Sequence, residues 1–200
     1  MKKVLVELNE SELKVLKRIL SENEVIEVDY INKHNYKEYI GKTVEVTGDV
    51  VLRGLGLTKI PINFTEVGGS FDCSENRLTS LEGAPRKVGD YFRCSYNKLT
   101  SLEGAPRKVG DSFDWENNQL TDLVDSPTKV GHSFWCEDNK LTSLEGAPEK
   151  VGRHFDCTKN QLTDLVGAPK EVGDSFFCGR NPLKSFKGRP EYVGGVFHNK

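Results

Sequence analysis

The chain has 200 residues, of which 36% are hydrophobic and 29% charged, a balance that fits a folded body in water and excludes a disordered or membrane-embedded chain. Formal net charge is −2, so no overall basic field draws in nucleic acid or an anionic membrane surface, and neither is expected as a partner. No apolar run approaches the roughly 18 residues that a membrane span needs.

In chain order, the opening Met1, Lys2, Lys3, Val4, Leu5 and Val6 imitate a secretory leader, but Glu7 and Glu10 break the apolar run. The expected location is therefore the cytoplasm. Residues 4–8 alternate as a short strand. Ser11 then reads as an N-cap, with Leu13, Leu16 and Leu20 on one helical face, Val15 and Ile19 widening it, and Ser21 and Asn23 ending it. Val25, Ile26, Val28 and Tyr30 predict a second strand. Asn35 is placed to cap a short helix through Tyr36, Tyr39 and Ile40 that stops at Gly41. Residues 1–45 are thus expected to form a small α/β cap, which a repeat array needs to cover its first unit.

Beyond it, valine recurs at 67, 88, 109, 130, 151, 172 and 193, every 21 residues. A 21-residue unit with about five inward side chains cannot offset its own ordering entropy, so the copies must stack. Within one unit the inward set is Val67, Phe71, Cys73, Leu78 and Leu81, and the alternation Phe-x-Cys is that of a short strand. Counting back 21 lands on Val46, Val50, Leu52, Leu57 and Ile60, so a degenerate first unit starts at 46 and the solenoid is expected over 46–200. Asn76, Asn97, Asn118, Asn139, Asn160 and Asn181 follow the strand, where an amide side chain can serve backbone groups of its own and the adjacent coil. Gly83, Ala84 and Pro85 forbid a long helix on the return path. The five cysteines share one position of the repeat, 73, 94, 136, 157 and 178, without the local pairs of a metal site, and are expected to fill a narrow core column.

The run F-x-C-x-x-N-x-L-x-x-L resembles the leucine-rich repeat family, whose strand segment reads L-x-x-L-x-L-x-x-N-x-L. The short coils with proline before the next strand are most similar to the leucine-rich repeats of bacterial effectors and to repeat proteins of tailed bacteriophages. The resemblance implies an α+β fold: a solenoid with a parallel β-sheet on its concave face, a helix-poor convex face and the N-terminal cap. It also implies a protein–protein interaction module, a phage or bacterial factor that inhibits or sequesters a host protein.

Strands stacked about 4.8 Å apart set equivalent outward residues in rows. These rows are where the copies differ, and they supply the candidate partner-binding residues Tyr91, Arg93, Tyr96, Asp114, Glu116, Trp135, Glu137, His154, Asp156 and Phe177. Trp135, Phe177, Tyr91 and Tyr96 are expected to stand outside as interface anchors. A basic stripe at Arg86, Lys87, Arg107, Lys108, Lys129, Lys150 and Lys170 reads as a surface ladder balanced by Glu82, Glu103 and Glu145 upstream. Four scattered histidines assemble no nucleophile with base and orienter, so no enzyme, cofactor or metal is expected. Two other functions are carried as alternatives: a structural protein that self-associates through its last strand, either a monomer or a homodimer joined at that edge, and a small-ligand or glycan binder.

Overall fold

The computed structural model describes residues 10–11 and 24–200. The strand expected over 4–8, and the helix expected from Ser11 except for its first turn at Glu10 and Ser11, lie outside the described residues. What the described residues form is a parallel β-solenoid whose helical content is those two residues and the 3₁₀ turn Tyr36–Tyr39. The expected helix at 36–40 is that turn. Asn35 does not cap it; its amide reaches back instead, donating to Tyr30 O and accepting from Asn32 N.

Two sheets run the length of the coil. One, here the valine sheet, has nine strands, from Val25–Val28, Thr43–Val46 and Asn63–Val67 through Lys87–Val88, Lys108–Val109, Lys129–Val130, Lys150–Val151 and Glu171–Val172 to Tyr192–Val193. The other, the phenylalanine sheet, has eight, from Val50–Val51 through Phe71–Asp72, Phe92–Arg93, Phe113–Asp114, Phe134–Trp135, Phe155–Asp156 and Phe176–Phe177 to Phe197–His198. From Val46 onward the strands pair residues 21 places apart, Phe92 with Phe113 and Lys87 with Lys108. The sequence leads to the expectation of one parallel sheet; the structure adds a second, because each valine and the residue before it make a strand of their own. The strand Thr43–Val46 crosses the point where the cap was expected to end, and a register shift between Val44 and Val46 takes up the extra residue as the regular array begins.

The interior follows the repeat. Val88, Phe92, Cys94, Leu99 and Leu102, with their equivalents, are buried in the coils from Val67 to Leu165; in the coil from Val172, Leu183 is only partly buried and Phe186 is exposed, and in the degenerate first one Val46, Val50, Leu52 and Ile60 are buried with Leu57 partly so. The phenylalanines stack, Phe134 on Phe155 at 5.4 Å and Phe155 on Phe176 at 5.3 Å, nearly coplanar. Trp115 takes the place of cysteine in the third full coil; its ring lies 4.7 Å from Phe113 and tilts the column there. All five cysteines are free and buried, and burial raises the thiols of Cys94, Cys136 and Cys157 far above their ordinary range.

Two polar devices hold the coils together. Asn97 donates to Cys94 O in its own coil and to Cys73 O in the preceding one, while its Oδ1 accepts from Leu78 N at 2.9 Å; the pattern recurs at every equivalent asparagine. The glycine after each valine stands where adjacent coils touch. A Cβ on Gly89 would lie 1.7 Å from Gly68 O, and one on Gly110 would lie 1.8 Å from Gly89 O, so close approach rather than a left-handed turn demands glycine there. Among the described residues no helix is long and apolar enough to cross a membrane.

Candidate functional site

The phenylalanine strands are two residues long, so one residue of each, Asp72, Arg93, Asp114, Trp135, Asp156, Phe177 or His198, points away from the core, and the pairing sets them in register. Trp135 is flanked by Asp114 on one strand and Asp156 on the next. The neighbouring row adds His154, whose ring centroid lies 5.9 Å from Trp135 and 6.2 Å from Phe177; Phe177 is in turn 5.9 Å from His198. An aromatic strip thus climbs the face across four coils.

This packing corrects one expectation. Tyr91 and Tyr96 are exposed, each at 46%, but Trp135 and Phe177 are half-buried because His154 wedges between them. The row after the cysteine column is also deeper than its polar composition suggests: Ser74 and Ser95 are only 2% and 4% exposed. Where that row carries acids, at Glu116 and Glu137, the carboxylates are drawn partly under the surface.

The electrostatics follow from that depth. Burial, more than any charge, raises the Glu137 carboxyl to about 8, with Asp156, Glu116 and Asp114 adding to the shift, and one of its oxygens is buried without a hydrogen-bond partner. Burial likewise raises Asp114 and Asp156, although Asp114 accepts from Glu116 N and Asp156 from Thr158 N. Arg93 Nε stands 3.1 Å from Asp114 Oδ2, and the Tyr96 hydroxyl donates to Glu116 Oε1 at 2.9 Å, which raises the phenol. His154 Nε2 faces Asp174 at 3.6 Å while its Nδ1 is buried and unpartnered.

The structure thus brings Asp114, Glu116, Trp135, Glu137, His154, Asp156 and Phe177 onto one stretch of the face, with Arg93 and Tyr96 against its lower edge and the Tyr91 side chain exposed apart from them. Two residues outside the candidate set also meet it: His198, which follows Phe177 in the same 21-residue row, and Asp174, which faces His154. Among the described residues no three histidine, cysteine or acidic side chains are arranged to hold a metal ion. Chemically, the arrangement is a semi-apolar strip bordered by carboxylates whose ionisation burial disfavours, a surface whose charge state responds to an approaching cation.

The valine sheet presents a different outside. Lys87, Lys108, Lys129 and Lys150 line up on consecutive strands, and their ion pairs are with Glu66 at 3.0 Å and Glu171 at 2.6 Å at the two ends. Among the described residues Glu82, Glu103 and Glu145 form no ion pair with the ladder, so the expected balance within each coil is replaced by capping at its ends. Compared with protein-family models, with curated proteins and with solved structures, the chain finds no match.

Proposed function

We propose that the chain is a protein-binding repeat module of the leucine-rich type that engages its partner through the outer face of the phenylalanine sheet. The observation that carries this reading is the register of Asp114, Trp135 and Asp156 beside His154 and Phe177: large half-buried rings next to desolvated carboxylates. Aromatic rings fixed by their neighbours give contact area at low entropic cost, and the acids favour a partner that presents lysine or arginine, whose cation also suits the Trp135 ring. The asparagine ladder and the F-x-C-x-x-N-x-L-x-x-L run support the leucine-rich assignment, while the second sheet is a departure from the implied convex face. The similarity to effector and phage repeats extends the proposal to a factor that occupies a protein of a bacterial host. No reaction is part of it: all five cysteines are buried, and burial raises the thiols of Cys94, Cys136, Cys157 and Cys178.

The test is affinity capture from the native host with the wild type and with Trp135→Ala/Phe177→Ala, each checked by its thermal melt. A captured protein that the folded double variant loses supports the reading; capture that is unchanged discards this surface. Self-association is the rival reading, favoured by one observation: Tyr192–Val193 and Phe197–His198 are outermost in their sheets, with Phe186, Tyr192 and Val196 exposed around them. Light scattering separates the two, because a dimer dispersed by Val196→Lys would favour the rival.

A further inference from the structure

The lysine ladder is a structural oddity that the phenylalanine face does not explain. Residues directly opposite each other on neighbouring strands interact, and like charges so placed repel. Lys87 is opposite Lys108 and Lys129 opposite Lys150, with strands spaced about 4.8 Å apart. Arg86 and Arg107 precede two of these lysines and add to the same field. Glu66 and Glu171 neutralise the two ends, but among the described residues no ion pair reaches Lys108, Lys129, Arg86 or Arg107. Four unpaired cations are therefore held together by the fold.

The ground beside them is shaped to receive a chain. A groove of about 500 Å³ is lined by Lys87, Gly89, Arg107, Lys108, Gly110 and Lys129. Its glycines are there because adjacent coils touch, and their consequence on the outside is a shallow trough, with Val88, Val109 and Thr128 also in its lining, along a ridge of cationic groups. A polypeptide backbone can lie against such a trough and extend carboxylates to the ridge. Single-stranded nucleic acid fits it less well, because no aromatic side chain lies on the ladder between Glu66 and Glu171 and bases would find nothing to stack on.

We propose that the ladder of Lys108 and Lys129, flanked by Lys87, Lys150, Arg86 and Arg107, is a second docking surface, and that its occupant is an extended acidic segment of a protein. Charge complementarity and the open trough carry the assignment, and it stands independently of what the phenylalanine face binds. The attraction is electrostatic, so it weakens as salt shortens the screening length.

The experiment uses the full chain and a fluorescein-labelled octapeptide of aspartate and glutamate, followed by anisotropy at low and physiological salt. The wild type is expected to bind saturably, and Lys108→Glu/Lys129→Glu to weaken binding by about tenfold or more. Lys184→Glu/Lys187→Glu, which makes the same charge change at exposed lysines away from the ladder, is expected to leave binding within about twofold of the wild type. A neutral pair, Lys108→Gln/Lys129→Gln, keeps the test readable if the glutamates disturb folding, and is expected to lose binding without loss of melting temperature. The proposal is overturned if the peptide does not bind, if both glutamate variants weaken it equally, or if an oligothymidylate or inorganic polyphosphate binds the same lysines more tightly than the peptide does.

Discussion

The two sheets of this coil share one interior and differ in everything they show to solvent. Inside, the valine strands and the phenylalanine strands obey the same 21-residue rule without regard to what lies outside. Outside, the valine sheet repeats one residue, reading Glu66, Lys87, Lys108, Lys129, Lys150, Glu171, whereas the phenylalanine sheet reads Asp72, Arg93, Asp114, Trp135, Asp156, Phe177. The varied face settles its charges between rungs, through Arg93 with Asp114 and Lys159 with Asp138. Among the described residues, the repeated row Lys87 to Lys150 does so at its two ends. Core packing therefore dictates neither exterior. A face that varies can be fitted to one shape, while a face that repeats can only present a field.

The sharpest way to break this contrast is to attack what both faces stand on. Asn118 Nδ2 donates to Cys94 O and Trp115 O, and its Oδ1 accepts from Leu99 N, all buried. Asn118→Ala leaves those groups unsatisfied and is expected to cost about 3 kcal/mol in chemical denaturation, with amide exchange accelerated first in the two coils it joins. A loss below about 1 kcal/mol would mean that water replaces the amide and that the ladder is not a main tie between rungs.

A smaller effect separates the faces by pH. Glu137 has a folded pKa of about 8 against an ordinary value of 4.5, so between these two values the folded chain holds more protons than the unfolded one. Its contribution to stability is complete below the lower value and is lost as pH rises toward the upper, and the raised carboxyls of Asp114 and Asp156 act in the same sense. The melting temperature is expected to fall from pH 5 to pH 8.5, and Glu137→Gln to flatten that fall and to melt higher at the alkaline end. A variant with the wild-type slope would clear Glu137 of responsibility.

The least effect belongs to the ladder. Lys108→Gln/Lys129→Gln relieves repulsion between exposed side chains and is expected to stabilise by a few tenths of a kcal/mol in low salt, a gain that fades as salt screens the wild type. Destabilisation at low salt would show that the lysines are satisfied in ways their ion pairs do not reveal.

Much of this was legible in the residues, for reasons the structure makes plain. Buried apolar residues recurring at a fixed interval announce stacking, and Phe71, Cys73, Leu78 and Leu81 had to face inward because nothing else could fill the core. The asparagine row was legible for the same reason: only a side chain that both donates and accepts serves two coils at once. The valine sheet was not, since each of its two-residue strands, such as Lys87–Val88, offers one inward valine and no second apolar residue two places away, whereas Phe71 and Cys73 mark an alternation. The depth of Glu137 was hidden because Ser74 and Ser95 look like surface residues; their small size was the available clue. Trp135 and Phe177 were read as exposed because each row was taken alone, whereas His154 comes from the row beside it.

The glycine corners carry a consequence for how such a chain can change. Every coil meets the next through the same backbone contact, so a whole 21-residue cassette can be added, removed or swapped while the faces stay in phase. A residue gained inside one coil disturbs only that coil's own corner, unless a bulge like that between Val44 and Val46 absorbs it, so lengthening the molecule or re-lettering its variable face is a modular operation, open to grafting rung by rung.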